Sequence, residues 1–261
     1  MVRVVLLAGL LACIAFPFYC MLVTSIRPKV AAFELVPRDV TLSAYGSVLE
    51  DLRSHIRNSF AVATTTVALT IAFGAAAAYA IARFRFPGKR AAARFFVLVY
   101  AFPAVLLVIP LFVLWARVGW VGKLPPLVLA YLAQTLPVAI YLFTNYFESQ
   151  DESVEEAALL DGCSPLGVIW HITIPTSLPA VAAVGIFTFV VAWNEFLFAY
   201  SLLRGNSGAD TLPVKLYQIL QSAHFPWGEL MAASIILILP VLVLMIAGQR
   251  YFEQGVVSGG K

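Results

Sequence analysis

The chain has 261 residues, 61% apolar and 12% charged, with a formal net charge of +3. Soluble domains average about 45–50% apolar and about 25% charged residues, so this composition points to a membrane protein and excludes an ordinary water-soluble domain. The small charge does not point to nucleic acid, and cysteines at 13, 20 and 163 form neither a metal-ligand spacing nor a disulfide framework.

A helix needs about 20 apolar residues to cross the hydrocarbon. Six stretches qualify: Val4–Ile26, Ser59–Ala82, Phe95–Ala116, Pro126–Phe147, Ala180–Leu203 and Met231–Gln249. Arg3 followed by Leu10-Leu11-Ala12-Cys13 resembles a lipoprotein signal, but the apolar run continues well past Cys13, so the first stretch reads as an uncleaved span. Residues 27–58 hold Pro28 and Pro37 and then a predicted helix from Ser43 towards Arg57. Between spans two and three, Arg83, Arg85, Lys89, Arg90 and Arg94 fall within twelve residues with no acid among them. Dense basic charge in a short loop reads as cytoplasmic, which puts both termini in the cytoplasm. Residues 204–230 hold a Gly/Ser turn at Gly205–Gly208 and a periodic stretch around Leu212–Leu220. Neither outer segment is large enough for a receptor domain. The expected organisation is residues 1–58 as first span and extracytoplasmic segment, 59–250 as a transmembrane core with a loop at 153–179, and 251–261 as a cytoplasmic tail.

The loop Ser153–Pro179 carries helix start and stop signals. Ser153 and Glu156 have capping-box spacing, and Glu155 and Glu156 place negative charge at the positive end of the helix dipole. Ala157, Ala158, Leu159 and Leu160 favour helix. Gly162 suits the left-handed position past a helix end, Ser164 and Pro165 start a second helix, and Pro175 and Pro179 are expected to close it. Glu156-Ala157-Ala158, Asp161-Gly162 and Ile172-x-Ile174-Pro175 in this register resemble the EAA loop of binding-protein-dependent ABC importer permeases. Cys163 and Ile174 stand where that family usually has Ala and Leu. Trp193-Asn194-Glu195-Phe196, Thr211-Leu212-Pro213, Asn58-Ser59 and Tyr79-Ala80-x-Ala82-Arg83-Phe84 resemble the carbohydrate-type, and in particular the maltose-type, subfamily. The likeness runs from about Thr24 to Phe252.

The resemblance implies an all-α membrane protein with six transmembrane helices, the type I ABC importer permease fold and a cytoplasmic coupling helix. Its implied partners are a second permease in a heterodimer, an ATPase dimer, an extracytoplasmic solute-binding protein and membrane lipid, in a bacterial or archaeal plasma membrane. Glu156, Ala157, Ala158, Asp161, Gly162, Ile172 and Pro175 are the implied ATPase-coupling residues. Substrate would be a sugar or sugar derivative.

The residues agree that ATP chemistry lies elsewhere. Neither Gly88-Lys89 nor Gly122-Lys123 completes a P-loop, and His55, His171 and His224 have no zinc-site spacing. The expectation is therefore no catalytic residue, no metal and no cofactor on this chain, with ATP and Mg on the partner ATPase. Gly205-Asn206-Ser207-Gly208 matches the G-x-S-G of rhomboid intramembrane proteases, with His224 as a potential base, but it is four residues of ordinary turn composition outside any span. Glu195 is the only acidic or basic side chain within the six spans. A charge there costs about 2.5–3.5 kcal/mol on insertion scales and should face protein or water. It reads equally as an interhelical hydrogen-bond partner or, with Trp193 and Asn194, as a lining of the translocation path.

Overall fold

The computed structural model describes residues 2–27, 40–222 and 227–258, so Pro28, Pro37 and His224 lie outside the described residues. Helix α1 (Val2–Ser25) coincides with the first expected span. Helix α2 (Ser43–Arg83) is continuous, whereas the sequence suggested an outer helix and a separate span. No Gly or Pro lies between Gly46 and Gly74, so the polar turn around Asp51–Arg57 changes the surroundings of the helix without breaking its backbone ladder.

The third expected span is broken. Helix α3 (Lys89–Ala101) stops at Phe102, which is extended, and a short 3₁₀ turn leads into α4 (Val108–Arg117). The two arms bend by 86°. Pro103 explains the break, because the residue before proline is pushed out of the helical region and proline has no N–H to continue the ladder. Helix α5 (Leu124–Glu148) coincides with the fourth expected span. The loop contains α6 (Ser153–Leu160), α7 (Pro165–Val168) and α8 (Ile174–Thr176). The fifth expected span is divided at Glu195 into α9 (Leu178–Asn194) and α10 (Leu197–Leu202). Helices α11 (Leu212–Gln221) and α12 (Trp227–Ser258) follow. Among the described residues, four helices are individually long and apolar enough to cross a membrane, or up to six if each of two bent pairs, Lys89–Ala101 with Ala104–Arg117 and Pro165–Thr176 with Leu178–Asn194, counts as one span.

The chain falls into two compact units, Met1–Arg57 with Asp210–Leu242, and Asn58–Ala209 with Val243–Lys261. In the first, the Ser25 and Tyr45 hydroxyls are 2.7 Å apart, a ring nitrogen of buried His55 lies 3.0 Å from the Asp210 carbonyl, and Lys215 pairs with Asp51 at 3.1 Å. In the second, α2 contributes Ala75, Ala78, Tyr79 and Ala82 to a core with Phe143 and Phe147 of α5, Val168 and Ile169 of the loop, and Val184 of α9. Small residues let the α2 and α5 backbones approach. A Cβ at Gly74 would sit 3.1 Å from the Ala139 Cβ, and the buried Thr70 and Thr135 hydroxyls bond at 2.9 Å. With no hydrophobic drive between helices in lipid, close packing and such bonds hold the spans together.

Candidate functional site

The loop is built by local rules, one of which differs from the expected capping box. The Asp151 carboxylate accepts both the Ser153 N–H at 3.1 Å and the Ser153 hydroxyl at 2.8 Å. These two bonds hold the Asp151 carboxyl below the usual carboxylate range. The Ser153 hydroxyl is thereby used as a donor, α6 begins at Ser153 itself, and the Glu156 N–H bonds to the Glu152 carbonyl at 2.9 Å. Ser153 and Glu156 therefore make no reciprocal cap.

The end of α6 follows the sequence closely. Gly162 has φ +91°. Its N–H bonds to the Leu159 carbonyl at 3.1 Å, and the Cys163 N–H reaches back to the Ala158 carbonyl at 3.0 Å. This is the complete Schellman pair of bonds. The Ser164 hydroxyl then accepts from the Gly167 N–H at 3.1 Å and caps α7, with Pro165 in the first turn. Pro175 does not end this segment. A π turn over Ile169–Thr173 precedes it, and α8 continues through it to Thr176. A widened turn accommodates a proline that cannot donate to the ladder. Pro179 lies in the first turn of α9, where a missing N–H costs nothing. The break at Ser177 turns the chain by 88°.

The loop has two chemically different faces. Arg83, the last residue of α2, donates from Nε to Glu155 Oε2 at 2.7 Å and from Nη2 to Glu155 Oε1 at 3.3 Å. Its Nη1 also reaches Glu152 at 3.2 Å. Thr173, at the end of the π turn, donates to Glu155 Oε1 at 3.1 Å. The Arg83 and Glu155 side chains are only 6% and 8% exposed. One carboxylate thus joins the end of α2 to both halves of the loop. Ala158, Ile172 and Ile174 pack on the core beside it. The opposite face carries Glu156, Ala157, Asp161, Gly162 and Pro175, all exposed. Around them stand Leu160, 89% exposed, with Val154, Leu166 and Trp170. Of the coupling residues read from the sequence, this exposed set and the half-buried Ala158 and Ile172 therefore divide between the two faces. The sequence reading treated Glu155 only as a dipole charge and Arg83 only as a topology signal. Their pairing had no local signature, since they are 72 residues apart.

At the second break, the Glu195 carboxylate accepts the N–H groups of Phe198 at 2.9 Å and Ala199 at 3.1 Å, capping α10. The buried Tyr131 hydroxyl donates to it at 2.8 Å. The Trp193 ring is buried, stacks on Phe189 at 5.4 Å and meets Phe60 edge-on. Asn194 is exposed and donates back to the Val190 carbonyl at 2.9 Å. One turn beyond Tyr131 on α5, Gln134 lines a cavity of about 720 Å³ with Phe95, Tyr100 and Phe102. Its amide nitrogen is buried without a hydrogen-bond partner, and the sequence reading did not single it out. Ser207 is exposed in a 3₁₀ turn, with the Asn58 amide donating to the Gly208 carbonyl at 2.9 Å.

The sequence profile of the family described as binding-protein-dependent transport system inner membrane component matches residues 68–258. The inner membrane ABC transporter permease protein YcjP of Escherichia coli is 33% identical over 253 residues, covering 94% of this chain and 90% of the relative. The trehalose/maltose transport system permease protein MalG of Thermococcus litoralis is 33% identical, covering 98% and 96%. A chain in the crystal structure of a bacterial ABC transporter involved in the import of the acidic polysaccharide alginate superimposes with a TM-score of 0.83 at 26% identity, over 96% of this chain and 95% of that one.

Proposed function

The chain belongs to the family of binding-protein-dependent transport system inner membrane components, and from that membership we propose that it is the sugar-importing permease subunit of an ATP-driven importer, coupled to a separate ATPase through the exposed face of residues 153–176. It is a transport subunit and not an enzyme, which leaves no role for Ser207 as a protease nucleophile. The observation that carries the coupling reading is the two-faced loop. Its inner face is tied to α2 by a buried, bidentate ion pair. Its outer face presents Leu160, Leu166 and Trp170 beside Glu156 and Asp161. An apolar cluster rimmed by acids, outside the spans, suits a protein partner with basic groups around a hydrophobic cleft.

In this reading six membrane crossings place both termini and the loop in the cytoplasm, supported by the basic run Arg83–Arg94. ATP and Mg bind the partner ATPase, and a second permease and a solute-binding protein complete the importer. Trp193, Asn194, Glu195 and Gln134 border the path, with the free amide of Gln134 in an aromatic-lined cavity matching the hydrogen-bonding and stacking needs of a sugar. The trehalose/maltose relative supports a sugar or sugar derivative as cargo. Reconstitution with the partner permease, ATPase and binding protein should give ATP-dependent uptake of labelled trehalose or maltose. Assembly with no ATP-dependent uptake across a panel of neutral and acidic sugars would refute the sugar assignment. Reporter fusions should be active in the cytoplasm at residues 90 and 163, and outside at residues 40 and 208.

A further inference from the structure

The basic run between α2 and α3 does more than orient the chain. Arg90, Arg94 and Leu98 form an i, i+4, i+8 stripe along α3, and Tyr141, Thr144, Asn145 and Glu148 form a stripe along α5. The two stripes face each other across a cavity of about 770 Å³. The cavity is graded along its length. At one end stand Lys89, Arg90 and Arg94 with Asn145 and the cavity's one acid, Glu148. Further along the same two helices stand Phe96 and Leu98 of α3 and Ile140 and Tyr141 of α5.

Three features mark the polar end as an anion site. Cations outnumber the acid, and no ion pair among the described residues joins Glu148 to them. The N-terminus of α3 begins at Gly88 with no side-chain cap, so its N–H groups add positive potential. Thr144 is 9% exposed and lines the cavity, and its hydroxyl has no hydrogen-bond partner. A buried hydroxyl is rarely left unpaired. Lys89 is partly committed, donating to the Ala82 carbonyl at the end of α2 at 3.1 Å, so Arg90 and Arg94 are the cations free to bind.

We propose that this cavity holds one anionic phospholipid, its phosphate against Arg90, Arg94 and the Thr144 hydroxyl and its acyl chains along Phe96, Leu98 and Ile140. The proposal rests on the membrane orientation given above, in which this end of α3 meets the cytoplasmic leaflet, where anionic lipid attracts basic side chains. A soluble anion would use the charged end and leave the apolar end wet. The head-to-tail grading fits a lipid instead.

The test uses the complete importer, purified with its partners into nanodiscs of phosphatidylcholine with and without phosphatidylglycerol. Native mass spectrometry counts retained lipid, and ATP-driven uptake is measured on the same samples. Wild type should retain one phosphatidylglycerol in preference to phosphatidylcholine. Arg90→Gln/Arg94→Gln should lower that retention about tenfold or more, and Thr144→Val, which preserves shape, about fivefold. Equal retention of the two lipids by wild type, undiminished retention in both variants, or displacement of the lipid by transported sugar would each overturn the proposal. Failure of the permease reading looks different, as wild type would then show no ATP-driven uptake in either lipid.

Discussion

The buried Glu155 and the half-buried Glu195 are satisfied in different ways. Glu155, in the loop, faces a guanidinium that is equally buried, and a threonine hydroxyl completes its bonding. Glu195, between α9 and α10, accepts from two backbone N–H groups and a phenol and has no cation among these partners. A buried ion pair is costly to break and contributes little net stability when intact, because both charges lost their water. A carboxylate on a helix N-terminus is held by dipoles that the backbone supplies in any case. The first arrangement pins separate segments together through side chains alone. The second makes a break in a span tolerable, since the freed N–H groups of α10 would otherwise be unsatisfied in an apolar setting.

The difference predicts a ranking of effects. Glu155→Leu leaves Arg83 buried with only its exposed partner Glu152 and should cost about 3–5 kcal/mol, read as a large drop in thermal stability of the purified complex. Arg83→Met/Glu155→Leu should recover most of that loss, because neither charge remains buried. Failure of the double variant to recover would show that the pair itself, and not an orphaned charge, holds the loop. Glu195→Gln keeps an acceptor but loses the charge, and should cost less, about 1.5–3 kcal/mol. A cost equal to that of Glu155→Leu would erase the distinction between the two sites.

A smaller effect belongs to the turn that separates the halves of the loop. At φ +91°, Gly162→Val meets a penalty of about 1–2 kcal/mol, while Gly162→Asn should be milder. Nothing lies within 4 Å of a Cβ at Gly162, so the penalty is purely conformational. Equal stability and uptake for the two variants would remove the turn from the account.

These contrasts also show how far the sequence could be read. Gly162, Ser164 and Pro165 act through bonds a few residues away, and the structure places them as expected. Apolar runs marked four membrane-length helices among the described residues for the same reason, since length and composition suffice, whereas the third and fifth runs are interrupted. Local rules misled where two nearby acceptors competed. Asp151 takes the Ser153 groups that the capping box would have used. Proline was ambiguous because it both ends helices and begins them, and Pro179 begins one. Which of Glu155 and Glu156 faces inward was not legible, because the deciding partner, Arg83, lies across the fold. The break at Glu195 was legible only in part. A lone charge in an apolar span signals a special environment, but the acceptor role towards Phe198, Ala199 and Tyr131 needs the three-dimensional arrangement.

The central claim is that the outer face of the loop docks an ATPase while the inner face holds the loop to the spans. Leu160 is 89% exposed, so Leu160→Asp should change folding stability by about 0.5 kcal/mol or less yet place an unpaired charge in the proposed interface. Copurification of the ATPase with the assembled permease, comparing wild type, Glu156→Gln and Leu160→Asp at matched membrane levels, tests this most directly. The account predicts weakened ATPase recovery for Glu156→Gln and near-complete loss for Leu160→Asp, with the permease pair intact and uptake falling in the same order. Full ATPase recovery and full uptake in both variants would contradict it.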